Sequence, residues 1–138
     1  VARSGAQRYF IDAGGDIQSH GTNAEGDAWR VGIRNPFNHD EIIKVVRPDG
    51  RGVATSGTYV RGQHIYDPYR PGAPIDDLVS LTVIGRDVLE ADRFATAAFA
   101  MGTAGIGFIE RTAELEASAV WRNRTATMTS GFQSFVDP

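Results

Sequence analysis

An aspartate and a threonine stand one helical turn apart in the second half of the sequence, and both side chains end in oxygen. Asp92 and Thr96 fall within a segment whose residues suit a helix, which would aim both oxygens at the same spot. An oxygen-only site of this kind suits Mg²⁺, which is also coordinated by several water molecules and by substrate phosphates. The spacing therefore predicts a metal site at Asp92 and Thr96. Two other arrangements fit it too: Thr96 bonding back to the carbonyl of Asp92, and an arginine pairing with Asp92.

The helix that carries these two residues has clear start and stop signals. Asp87 at the N-cap and Glu90 three residues later form a capping-box pattern, and Gly102 is a usual C-terminal glycine. We expect the helix to span about residues 88–101. Because apolar residues occupy most of its sides, the helix should be largely buried, with Asp92 between apolar neighbours. A buried carboxylate is costly unless it is paired or binds a cation.

The other predicted elements are mainly strands, and they set the fold class. Alternating patterns and turn signals predict strands at residues 9–12, 17–20, 29–33, 41–46, 52–56, 62–66, 78–84, 115–121 and 125–129. A Pro/Gly-rich loop covers residues 67–74, and a shorter second helix is expected at residues 103–112. The prediction is an α+β fold: a mostly antiparallel sheet with one long buried helix and a shorter second helix.

Composition bounds the kind of protein. The 138 residues fit a single domain, 1–138, with 41% hydrophobic and 22% charged residues. The formal net charge is -3 and the basic residues are scattered, so no nucleic-acid partner is expected. The absence of cysteine excludes disulfides and thiolate metal sites, and leaves the compartment open. No run is long enough for a membrane segment.

Several segments together carry a family resemblance. They read Asp-Ala-Gly-Gly-Asp-Ile at 12–17, Trp-Arg-Val-Gly-Ile at 29–33, Ala-Thr-Ser-Gly-Thr-Tyr at 54–59, His-Ile-Tyr-Asp-Pro at 64–68 and Ala-Asp-Arg-Phe-Ala-Thr-Ala-Ala at 91–98. Each motif is weak alone, but their order and approximate spacing resemble those of ApbE-type FAD:protein FMN transferases from about residue 9 to residue 132.

The resemblance implies an activity. Members of this family transfer FMN from FAD to a threonine hydroxyl of a target protein and release AMP. The resemblance implies that Mg²⁺ is held by Asp92, Thr96 and a backbone carbonyl from an earlier segment. That earlier segment has no counterpart in the sequence, so we expect the chain to be the carboxy-terminal portion of a longer transferase. It should pair with a missing amino-terminal half or form a homo-oligomer.

The resemblance also assigns roles to the remaining motif residues. His64 is the candidate base for the acceptor hydroxyl, since histidine can take a proton near neutral pH. The expected FAD-binding residues are Gly14, Gly15, Asp16, Ser56, Gly57, His64 and Ile65. Each has a plainer interpretation: His64 as a loop histidine bonding a backbone carbonyl, the glycine pair as a tight turn capped by Asp16, and Ser56 with Gly57 as a bend.

Two other functions stay open. The chain could be a module that holds FAD or another flavin without transferring it. It could also be a structural fragment whose partner half supplies the chemistry. Glycines in the candidate site permit close approach of backbone to a ligand in either case.

Overall fold

The computed structural model describes residues 4–58, 65–73, 75 and 77–138. Eight strands and two α-helices occur in this part of the chain. The strands are β1 (Tyr9–Ala13), β2 (Asp16–His20), β3 (Val31–Asn35), β4 (Asn38–Val46), β5 (Gly52–Gly57), β6 (Leu78–Gly85), β7 (Glu116–Trp121) and β8 (Ala126–Met128). The helices are α1 (Val88–Ala100) and α2 (Gly105–Glu110), with short 3₁₀ turns at Gly102–Ala104 and Phe132–Phe135.

Six strands form one antiparallel sheet in the order β1-β2-β5-β6-β7-β8, while β3 and β4 form a separate hairpin. β5 pairs with β6 along its whole length, from Gly52 to Gly57. On its other side β5 pairs with β2 only at Gly52 and Val53. The β1–β2 hairpin therefore ends before β5 does. Within the described part of the chain, the last residues of β5 lie at an open edge of the sheet.

One face of this sheet packs against α1. Side chains alternate between the two faces of a strand, so β5 and β6 send every second residue toward the helix. The resulting core joins Ala54, Leu81 and Val83 of the sheet to Ala91, Ala95, Ala98 and Phe99 of α1. Small alanines on α1 let the helix lie close to the strands.

The opposite face packs against the β3–β4 hairpin. This second core contains Val31, Ile33 and Val46 from the hairpin, Val53 and Ile84 from the sheet, and Phe132 from the carboxy-terminal turn. The molecule thus has three layers: helices, sheet and hairpin. The expected α+β fold, with a mostly antiparallel sheet and two helices, is confirmed.

Helix α1 begins as its sequence predicts. The Asp87 carboxylate accepts a hydrogen bond from the backbone N–H of Glu90 at 2.8 Å. The Glu90 carboxylate accepts from the backbone N–H of Arg86 at 2.8 Å and pairs with the Arg86 guanidinium. The first bond satisfies an N–H group that the first turn leaves without a helical partner, and the others tie the residue before the N-cap to the helix.

The expected burial of α1 on most sides is wrong. Its buried residues are Ala91, Ala95, Ala98 and Phe99, which form one stripe. Leu89 is 64% exposed, and Asp92 and Thr96 are exposed as well. The error arises because apolar residues occur on most sides of the helix, whereas the sheet covers only the stripe of Ala91, Ala95, Ala98 and Phe99.

Other boundaries also differ from the predictions. The strand expected at 29–33 is β3, shifted to Val31–Asn35 and turned into β4 by Pro36 and Phe37. The second helix is split into a 3₁₀ turn and α2. Of the strand expected at 62–66, residues 62–64 lie outside the described residues, and Ile65 and Tyr66 are not in a strand. None of the helices in the described ranges combines the length and apolar character needed to cross a bilayer.

Candidate functional site

A cleft of about 900 Å³ opens where the free edge of β5 meets α1 and the β3–β4 hairpin. Its lining comes from five places: the β1–β2 hairpin, β5 with the start of β6, the segment at Ile65, α1, and the β3–β4 hairpin. Because α1 and the hairpin lie on opposite faces of the sheet, the cleft passes around the sheet edge that the short β1–β2 hairpin leaves open.

Asp92 and Thr96 line this cleft from α1. The Thr96 hydroxyl lies 3.4 Å from the hydroxyl of Ser56 on β5, so the two elements meet there. The Asp92 carboxylate is exposed and has no hydrogen bond or ion pair to another described residue. The pairing of Asp92 with an arginine, which the sequence allowed, is therefore not seen among the described residues.

The β1–β2 turn brings Gly14, Gly15 and Asp16 to the same cleft. Gly14 and Gly15 have φ values of 72° and 103°, a region that side-chain-bearing residues rarely adopt. The Gly15 N–H donates to the carboxylate of Asp12 at 2.7 Å. The Asp12 carboxylate thus caps the turn.

Ser56 and Gly57 reach the cleft at the end of β5, and Ile65 reaches it from the next described segment. Ser56 is 8% exposed. A Cβ at Gly57 would lie 2.9 Å from the carbonyl oxygen of Val79, so close packing on β6 requires glycine there. Ser56 can therefore face the helix while the Gly57 backbone stays near the opening.

His64 lies outside the described residues, so its side chain is not located. The other residues that the sequence singled out all line one cleft: Gly14, Gly15, Asp16, Ser56, Gly57, Ile65, Asp92 and Thr96. They come from four motif segments spread between residues 12 and 98. The fold brings these segments together.

Sequence reasoning missed the contribution of the hairpin. Arg30, Arg34 and His39 line the cleft, as does the exposed Ile42. Arg34 donates to the backbone carbonyl of His39 at 3.0 Å, which ties the two strands of the hairpin together. The contribution of the hairpin to the cleft depends on where the hairpin packs in three dimensions, which the local sequence does not show.

The oxygen donors can be tested for their fit to a divalent cation. No group of three or more Asp, Glu or His side chains suited to a metal occurs among the described residues. The described residues therefore do not by themselves form a site for a cation such as Zn²⁺, which needs three or four protein ligands. Asp92 and Thr96 do fit Mg²⁺, because Mg²⁺ is bound by one or two carboxylates and completes its shell with water and substrate phosphates.

Asp67 fixes the conformation of the loop that follows Ile65 in the chain. Its carboxylate accepts from the backbone N–H of Tyr69 and from the Arg70 side chain, both at 2.9 Å. The Arg70 hydrogen bond, followed by that of Tyr69, lowers the pKa of Asp67 below its ordinary value. Asp67 thus shapes the loop, as its position before Pro68 predicts. Tyr69 stands 92% exposed on it.

Comparison with known proteins gives one consistent result. The sequence model of the ApbE family matches residues 1–119. The FAD:protein FMN transferase of Salmonella typhimurium is 37% identical, over 75% of this chain and 32% of the relative. The enzyme of the same name from Escherichia coli is 38% identical, over 74% of this chain and 32% of the relative. The chain thus spans about a third of the length of these curated relatives.

Solved structures agree with the sequence comparison. The flavin transferase ApbE from Vibrio cholerae superposes with a TM-score of 0.82 at 28% identity, covering 97% of this chain and 46% of that one. The flavinyl transferase ApbE from Pseudomonas stutzeri, in its apo form, gives a TM-score of 0.81 at 29% identity, covering 99% of this chain and 44% of that one. The three-layer arrangement is therefore shared with solved flavin transferases.

Proposed function

The chain belongs to the ApbE family, and on that premise we propose that it forms part of the active site of an FAD:protein FMN transferase. The proposed reaction moves FMN from FAD to a threonine hydroxyl of a target protein and releases AMP. The observation that carries the proposal is the cleft. Asp92 and Thr96 line it together with the predicted flavin-binding positions on the β1–β2 turn and on β5.

The reaction is a phosphoryl-type transfer, and its bonds define what the site must do. The acceptor oxygen forms a bond to the FMN phosphorus, the bridging P–O bond of the pyrophosphate breaks, and AMP departs with the bridging oxygen. The acceptor hydroxyl loses its proton to a base. We assign that role to His64, which directly precedes Ile65 of the cleft lining.

Asp92 and Thr96 are the residues we propose to hold Mg²⁺. When bound, Mg²⁺ neutralises phosphate charge and orients phosphate oxygens for in-line displacement. The exposed Asp92 carboxylate supplies the negative charge for the cation, and the Thr96 hydroxyl supplies a neutral oxygen. Ser56, 3.4 Å from Thr96, helps to orient that hydroxyl.

FAD fits the shape and chemistry of the cleft. The cleft has a volume of about 900 Å³, in the upper part of the range for ligand sites in proteins, which is suitable for a dinucleotide. Apolar side chains such as Phe10 and Ile42 provide surface for aromatic rings, and the Gly14–Gly15 turn lets backbone approach closely. The target protein's threonine must enter from the remaining open side.

The test is mass spectrometry of an acceptor protein incubated with the full-length protein, FAD and Mg²⁺. We expect a threonine of the acceptor to gain the mass of one FMN less one water for each AMP released. Binding of FAD without any gain in mass would instead identify a flavin-binding module. If neither binding nor transfer is observed, the proposed function is wrong.

A further inference from the structure

Arg30 lines the cleft just before β3 begins, and its side chain pairs with a residue that is not part of the cleft lining. The Arg30 side chain is 61% exposed, and its Nη2 donates to the Asp137 carboxylate at 2.6 Å. A guanidinium presents five N–H donors in a planar fork. One ion pair therefore leaves donors that can meet a second anion in the cleft.

Asp137 is shared between two arginines. Its side chain is 7% exposed, and the carboxylate also pairs with Nε of Arg47. Arg47 is not part of the cleft lining. Two guanidinium groups and one carboxylate carry a net charge of +1, so Asp137 holds Arg30 in place without neutralising the pair of arginines.

The carboxy-terminal segment fixes Asp137 relative to the hairpin. The Asp137 N–H donates to the carbonyl of Val45 at 2.9 Å, and the Arg47 N–H donates to the carbonyl of Phe135 at 2.7 Å. Val136 bridges to Val46 between these bonds. This segment lies beyond residue 119, where the match to the family model ends. It therefore braces one wall of the cleft with residues that the family match does not include.

We propose that Arg30 binds a phosphate of the dinucleotide and that Asp137 is its positioning residue, an inference that rests on the proposed function. Arginine suits this task because its planar fork matches a phosphate with two parallel hydrogen bonds. A long, exposed side chain would otherwise lose rotamer freedom on binding. Because the ion pair with Asp137 already restricts the Arg30 side chain, less rotamer freedom is lost when the ligand binds.

The experiment measures the dissociation constant of FAD by quenching of flavin fluorescence in the full-length protein with Mg²⁺ present. Arg30→Gln and Asp137→Asn should each weaken FAD binding about tenfold or more, the usual effect of losing a charge-assisted hydrogen bond. Arg47→Gln is the matched control, because it removes the other partner of the same carboxylate. It should leave FAD affinity within about twofold of wild type.

The double variant, Arg30→Gln with Asp137→Asn, tests whether Asp137 acts by positioning Arg30 or only by supporting the fold. If Asp137 acts through Arg30, Asp137→Asn should add nothing to the loss already caused by Arg30→Gln. Riboflavin, which has no phosphate, should bind all four variants as it binds the wild type. Thermal unfolding of each variant confirms that it is folded at the assay temperature.

Three results would overturn the inference while leaving the proposed function standing. One is unchanged FAD affinity in Arg30→Gln. Another is a further loss on adding Asp137→Asn to Arg30→Gln, and the third is equal losses in Asp137→Asn and Arg47→Gln. Failure of the wild-type protein to bind FAD at all would instead refute the proposed function, and this inference with it.

Discussion

The hydroxyl of Ser56 lies 3.4 Å from the hydroxyl of Thr96, which joins two motif segments that are 40 residues apart. Ser56 belongs to β5 and Thr96 to α1, and the two elements pack through the core formed by Ala54 and the helix alanines. This contact fixes the side of α1 that faces the cleft. Asp92, one turn earlier, therefore faces the cleft too.

Replacement of Thr96 tests whether its hydroxyl is a metal ligand. Thr96→Val keeps the shape of the side chain but removes the oxygen. We therefore expect the Mg²⁺ concentration needed for half-maximal transfer to rise about 10–100-fold. Thr96→Ser retains the hydroxyl and serves as the control. The measurement is a Mg²⁺ titration of the transfer rate. Equal Mg²⁺ dependence in the valine and serine variants would remove Thr96 from the site.

Replacement of His64 tests the candidate base. His64→Asn should slow transfer about 10²–10⁴-fold, the usual contribution of a positioned acid–base group. FAD affinity should change much less, because the histidine acts on the incoming hydroxyl. In the wild-type protein the rate should fall on acidification, since a protonated imidazole cannot accept the proton. A near-normal rate in His64→Asn at saturating FAD would exclude this role.

Gly52 tests how tightly α1 sits on the sheet. A Cβ at Gly52 would lie 2.1 Å from the backbone nitrogen of Val88, so alanine must push the start of α1 away from β5. We expect Gly52→Ala to lower the free energy of unfolding by about 1–3 kcal/mol or more, as overpacking does. Urea denaturation measures the loss.

Gly107→Ala is the matched control for this change. A Cβ at Gly107 would meet only the flexible end of the Arg111 side chain, at 3.3 Å. Since Gly107 lies in α2, alanine should be neutral or should stabilise the protein by about 0.5–1 kcal/mol. Equal losses of stability at Gly52 and Gly107 would contradict the close approach of α1 to β5.

Glu90 gives a pH-dependent prediction. The Arg86 side chain, and then the Arg86 backbone N–H, lower the pKa of Glu90 below its ordinary value of 4.5. A carboxylate with a lowered folded-state pKa stabilises the protein above pH 4.5, and this contribution disappears as the pH falls through the lower folded-state value. Glu90→Gln should therefore be less stable than wild type at neutral pH but equally stable in acid. A stability difference that does not depend on pH would refute this assignment.

The sequence predicted the bounds of helix α1 better than the cleft as a whole. Start and stop signals at Asp87 and Gly102 depend on local backbone chemistry, so they can be read directly from the chain. The exposure of Asp92 and the role of Arg30 could not be predicted in this way. They depend on which face of α1 meets the sheet and on where the hairpin lies, and long-range packing decides both.

The arginine–aspartate cluster at Asp137 shows the same limit. Arg30 and Asp137 are 107 positions apart, and nothing in the local pattern around either residue indicates a partner. By contrast, the proposed flavin-binding positions on the β1–β2 turn and β5 belong to short contiguous motifs, so the sequence alone could suggest them. Pairings between such distant residues emerge only from the fold.

The measurement that tests the account most directly is Mg²⁺-dependent FMN transfer by an Asp92→Asn variant of the full-length protein. Asp92 is exposed and has no partner among the described residues, so its replacement should leave the unfolding temperature unchanged. Arg93→Gln, at the neighbouring exposed position on α1 and outside the cleft lining, is the control. We predict that Mg²⁺ drives transfer of FMN in wild type and Arg93→Gln but not in Asp92→Asn. Transfer by Asp92→Asn at the wild-type rate and with the wild-type Mg²⁺ dependence would contradict the proposed metal site.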